Sequence, residues 1–108
     1  MKAVNLPLYD DPFYTYSAAI EGKRYIFTYR WNGRDSAWRM DIRHDNQEPI
    51  ILGHKMVSSF PMMADYTLED DGISGYFVLL PKSREMGILH EQIGNMKQYY
   101  NLYYVYEG

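Results

Sequence analysis

The sequence predicts an all-β fold, a small antiparallel meander that closes into a barrel or stacks as a two-sheet sandwich, with at most a short helix. Three observations carry this. Apolar and polar residues alternate at period two through most of the first half of the chain, as in strands with one face buried. Aromatic residues make up 17% of the sequence, and 12 of them are tyrosines, a residue suited to strands and interfaces because its ring is apolar and its hydroxyl seeks a partner. Turn-forming residues punctuate the pattern at short intervals. With 108 residues and no internal repeat, the chain is expected to form one domain around one core.

The first strand is expected over residues 13–20, after Asp10-Asp11-Pro12, because proline lacks a donor and belongs ahead of a ladder. Glu21-Gly22-Lys23 makes a short turn, with Gly22 free to take positive φ. The second strand spans 24–31, with Tyr25, Phe27, Tyr29 and Trp31 on one face and Arg24, Ile26, Thr28 and Arg30 on the other. Asn32-Gly33 is a strong hairpin signal, and the residues after it lengthen the loop to about five residues.

The third strand spans 37–44, with Trp38, Met40, Ile42 and His44 opposed to Arg39, Asp41 and Arg43. After a turn at 45–48, a fourth strand runs over 49–57, where Gly53 marks a bulge or close approach. Residues 58–72 read as a loop with a helical turn around 62–66. Residues 76–80 form a buried strand stopped by Pro81, and 82–97 are ambiguous, their apolar residues being partly helix-spaced but interrupted by Gly87 and Gly94. The chain closes on a strand within 98–108, which is aromatic on both faces. Such a strand is covered on both sides, by its own chain or by another molecule.

Composition narrows the function. There is no cysteine, which excludes disulfides, thiolate metal sites and a cysteine nucleophile. No apolar run has the length of a signal peptide or a membrane span, so neither secretion by that route nor a membrane partner is expected. His44, His54 and His90 fall at no metal-ligand spacing. The acidic run Glu69-Asp70-Asp71 lacks the late bidentate glutamate of a calcium loop and reads as a solvated turn. No nucleophile elbow, phosphate loop or dinucleotide fingerprint occurs. No metal, no cofactor and no enzymatic activity are expected.

The hairpin Tyr29 to Ile42 poses the main question, since its tryptophans and arginines together suggest a nucleic-acid surface. Stacking on bases requires rings and cations on one exposed face. Alternation here sends Tyr29, Trp31, Trp38 and Met40 to one side and Arg30, Arg39 and Arg43 to the other. A net charge of -3 also opposes a polyanion. Tyr25, Phe27, Tyr29, Trp31, Trp38, Met40 and Ile42 are therefore assigned to the core, the arginines to an outer face, and Asp41 to cross-strand ion pairing. A small-barrel single-strand binder stays as the alternative, with nucleic acid disfavoured as partner. A sugar-stacking surface module is a third reading.

The stretch RYIFTYRWNGRDSAWRMDIRHDNQEPIILGHKMV resembles the small baseplate proteins that plug the tail hub in cyanophage-type contractile tails. Trp31-Asn32 ends one strand; Trp38, Met40, Asp41 and Ile42 follow in the next; then come a polar turn, Pro49-Ile50 and Gly53. A looser likeness extends through YFVLLP to the closing LYYVY. The resemblance implies a non-catalytic virion protein, made in the bacterial host cytoplasm and seated at the tail-tube axis. There it would meet hub, spike or tape-measure proteins in three-fold copies, as a homotrimer. The aromatic closing strand and the arginine face are the expected contacts: Tyr99, Tyr100, Tyr103, Tyr104 and Tyr106, with Arg30, Arg39 and Arg43.

Overall fold

A computed structural model describes residues 1–34, 36–57, 61–63, 68–82 and 100–107. Seven strands occur among them: β1 (Lys2–Leu6), β2 (Phe13–Ile20), β3 (Lys23–Asn32), β4 (Ala37–His44), β5 (Pro49–Lys55), β6 (Tyr76–Pro81) and β7 (Tyr100–Tyr106). They form two antiparallel sheets, one ordered β2-β3-β4-β5 and the other β1-β7-β6. The described strands do not join into a closed barrel. The fold is all-β, as expected, and the first sheet is the predicted meander.

Each hairpin follows from its turn residues. Ile20 pairs with Lys23, which leaves Glu21 and Gly22 as a two-residue turn, both at positive φ (52° and 78°). That is the type I′ geometry whose twist matches the flanking strands. In β5, Gly53 has φ 72° and the pairing with β4 shifts register on either side of Ile42, so the glycine marks the expected irregularity.

Two elements differ from the sequence reading. β1 was not anticipated; it pairs with the far end of the chain, from Lys2 opposite Tyr106 to Leu6 opposite Leu102. The helical turn expected around 62–66 is not formed at Met62, which makes an isolated bridge with Phe77, at 2.7 and 3.0 Å, on the otherwise open side of β6. Residues 64–66 lie outside the described residues. A 3-10 turn forms instead at Glu69–Asp71, closed by Gly72 in the left-handed conformation. The ambiguous stretch 82–97 also lies outside the described residues, Lys82 excepted.

The two sheets share one core. The β2–β5 sheet contributes Ile20, Tyr25, Phe27, Tyr29, Trp38, Met40 and Ile42, all buried. Trp31 is half-buried and packs edge-on against Trp38 with ring centroids 5.8 Å apart. The facing sheet contributes Leu6, Phe77, Leu79, Tyr100, Leu102 and Tyr104. Phe27 and Phe77 meet across the gap at 6.2 Å. Alternation along β7 thus turns Tyr100, Leu102 and Tyr104 inward and Tyr103 and Val105 outward.

Gly75 lets the start of β6 lie close against β7. A Cβ there would sit 1.9 Å from the Val105 carbonyl oxygen, and that backbone cannot yield without breaking the β6–β7 ladder. Gly75→Ala is expected to destabilise the chain by about 3 kcal/mol, the upper range of overpacking, in urea denaturation. An unchanged midpoint would show that the approach relaxes at no cost.

Candidate interaction surfaces

At one end of the molecule the sheets are joined by hydrogen bonds from the β2–β3 turn. Glu21 Oε2 accepts from the Ser74 backbone N–H at 3.0 Å, and Oε1 accepts from the Ser74 hydroxyl at 2.8 Å. The Tyr104 hydroxyl also donates to Glu21 Oε2 and accepts from the Gly75 N–H at 2.8 Å. Partial burial works to raise the Glu21 pKa, but the donors from Tyr104 and Ser74 outweigh it and hold the carboxyl below its ordinary value. The Tyr104 phenol is pushed up to about 12, by burial first and by its bond to Glu21 second.

A second tie lies at the same end. The Tyr25 hydroxyl donates to the Asp71 carbonyl at 2.6 Å, and His44 Nε2 lies 2.9 Å from Asp71 Oδ1. A carboxylate can only accept, so that nitrogen carries the proton. The acidic run read as a solvated turn is thus docked by its last member, while Glu69 and Asp70 stay exposed.

Toward the other end, tyrosines bracket the segment linking β1 to β2. The Tyr16 hydroxyl donates to the Pro7 carbonyl at 2.9 Å and accepts from the buried Tyr29 hydroxyl at 2.8 Å. Burial raises both phenols. Tyr14 stacks on Tyr29 at 5.0 Å, and burial pushes its pKa up to about 12. The Trp38 indole N–H is buried with no hydrogen-bond partner among the described residues.

The outer face of the β2–β5 sheet carries the arginines. Asp41 lies among them and is only 3% exposed. Its Oδ2 accepts from Arg30 at 2.5 Å and lies 3.8 Å from Arg43. Its Oδ1 accepts from the Gly53 N–H at 2.6 Å, and Arg39 donates to the Gly53 carbonyl at 3.1 Å. The β5 irregularity is therefore held on both its polar groups by β4 side chains. Phe13 and Leu52, 64% and 57% exposed, flank these cations.

Of the tyrosines expected at a partner surface, Tyr100 and Tyr104 are in the chain's own core. Tyr103 and Tyr106 are half-buried, and Tyr99 lies outside the described residues. Tyr103 shares the outer face of its sheet with Tyr76, Val78, Leu80 and Val105, none of them charged. His54 is half-buried, and burial, with Arg39 nearby, lowers its pKa. Among the described residues no three His, Cys, Asp or Glu side chains gather as metal ligands, and no helix is long and apolar enough to cross a membrane. Sequence reasoning missed the role of Glu21. Its signal was a glutamate in the first position of a type I′ turn, where Asn or Asp is favoured.

Residues 1–107 match the family model described as cyanophage baseplate Pam3 plug gp18. No curated protein matches the chain.

Two outcomes test these networks. Asp41→Ala removes the Arg30 pair and leaves the Gly53 N–H without its acceptor, and is expected to cost about 1–3 kcal/mol in urea denaturation; Arg43→Ala, whose 3.8 Å contact is longer, costs about 0–1 kcal/mol. Equal losses would refute the ranking. Raised phenol pKa values favour the neutral form in the folded state. The stability they lend is complete below pH 10 and drains as pH rises toward about 12. Denaturation followed across that window is expected to show a steeper loss in the wild type than in Tyr14→Phe, and identical slopes would contradict the assignment.

Proposed function

The chain belongs to the cyanophage baseplate plug family, and from that premise we propose that it is a non-catalytic structural protein of a contractile phage tail, seated at the tail-tube hub. The match over residues 1–107 carries the reading and supports a structural place in the virion tail. The finer parts rest on physical fit. One β domain, stacked as a two-sheet sandwich and clamped by Glu21, suits a part that must keep its shape under load. Its outward surfaces, the arginine face and the uncharged face bearing Tyr103, suit contacts with hub, spike or tape-measure proteins. In this reading it assembles in three-fold copies on the tail axis, and synthesis takes place in the host cytoplasm before assembly.

Quantitative mass spectrometry of purified tails and separated heads tests the placement. The chain is expected in tails, at a fixed ratio to the hub protein and cross-linked to hub, spike or tape-measure protein, and absent from heads. Tails that are complete without it would overturn the proposal.

A further inference from the structure

Charge is unevenly placed along this chain. The strands β2 to β5 hold six of its eleven Lys and Arg residues and one of its fourteen Asp and Glu residues, Asp41. The register sets Phe13, Arg30, Arg39 and Lys55 opposite one another in a single row across all four strands. Like charges directly opposite destabilise a sheet. Asp41 lies beside the row and accepts from Arg30 and the Gly53 N–H. Lys55 ends the row, exposed on the edge strand.

The opposite end of the same sheet is acidic on balance, although Lys23 lines the same depression as Asp45 and Glu48. The β4–β5 turn brings Asp45 and Glu48, and the His44–Asp71 contact at 2.9 Å brings in the 3-10 turn with Glu69 and Asp70. All four side chains are exposed. Along β3 the seven steps from Lys23 to Arg30 separate the two ends by about 23 Å, beyond the reach of a pair within one molecule.

We propose that the row Arg30, Arg39 and Lys55 of one copy docks the acidic end of a second copy, head to tail. Each molecule carries both halves of the contact, one basic and one acidic. A long polyanion fits less well, because the acidic remainder of the chain repels it beyond the row. Such a contact is heterologous, and it closes into a ring when the rotation between copies allows. The proposal rests on the baseplate reading only for the setting in which copies meet.

Sedimentation velocity of the full chain across a concentration series, from about 0.01 M to about 1 M salt, tests it without the phage. Association is expected at low salt and a monomer at high salt. Lys55→Glu, and separately the pair Glu69→Lys with Asp70→Lys, are each expected to weaken association at least about tenfold. Mixed together, they restore it, since one variant keeps the acidic half and the other the basic half. A monomer throughout the low-salt series, leaving the row for a different acidic protein, would overturn the proposal. So would association that neither variant weakens, or a mixture no tighter than its parts. The wild-type salt series decides alone if a variant does not fold, and none of these outcomes bears on whether the chain is found in tails.

Discussion

The two sheets share no strand, so their relative position depends on the core between them and on what bridges their ends. At one end the bridge centres on one carboxylate, with the Asp71 contacts beside it. Glu21 holds φ 52°, a conformation that costs a residue with a Cβ about 1–2 kcal/mol. That cost is offset because the same geometry aims the side chain at Ser74 and Tyr104, from which it accepts three hydrogen bonds. Tyr104 lies in β7, the central strand of the second sheet, and Ser74 and Gly75 lead into β6. The turn that closes one hairpin therefore sets the position of the whole facing sheet.

What the sequence revealed of this fold follows the range of the interactions. β2 and β4 were legible to the residue, since alternation and turn chemistry are local. β1 was not, because its five residues pair with a strand almost a hundred positions away, and a distant ladder leaves no mark on neighbouring residues. The same limit applied to β7. Its two faces are both aromatic, so alternation grouped Tyr100 with Tyr104 but could not say which face turns inward. The facing sheet settles it: Tyr104 lies 4.9 Å from its neighbour Phe77, on the face where Phe77 meets Phe27 of the other sheet.

Asp41 shows a different limit. Alternation places it outward, and it is outward, yet it is buried because Arg30 and Arg43 fold over it. Ion pairing was legible from the alternating charges. The third partner, the Gly53 N–H, was not, since it depends on the irregularity in β5. The result is an outer face whose cations are organised from below, with Arg30 fixed by a buried anion and Arg39 tied to the backbone it faces. Side chains held in this way have less entropy to lose when a partner arrives.

The tyrosine excess first suggested a binding surface, and the structure assigns much of it to internal bracing. Tyr25, Tyr29 and Tyr104 are fully buried, and each hydroxyl reaches a partner: the Asp71 carbonyl, Tyr16 and Glu21. Phenylalanine would fill the same volume but leave the 3-10 turn, the Tyr16 hydroxyl and the β2–β3 turn without these ties. Tyrosine thus does the work of a core residue and of a loop anchor together, which a small domain with no cysteine cannot obtain from disulfides. With those rings turned inward, the recognition chemistry left on the outer face of the β2–β5 sheet is mostly charge, in the row where Arg30, Arg39 and Lys55 meet.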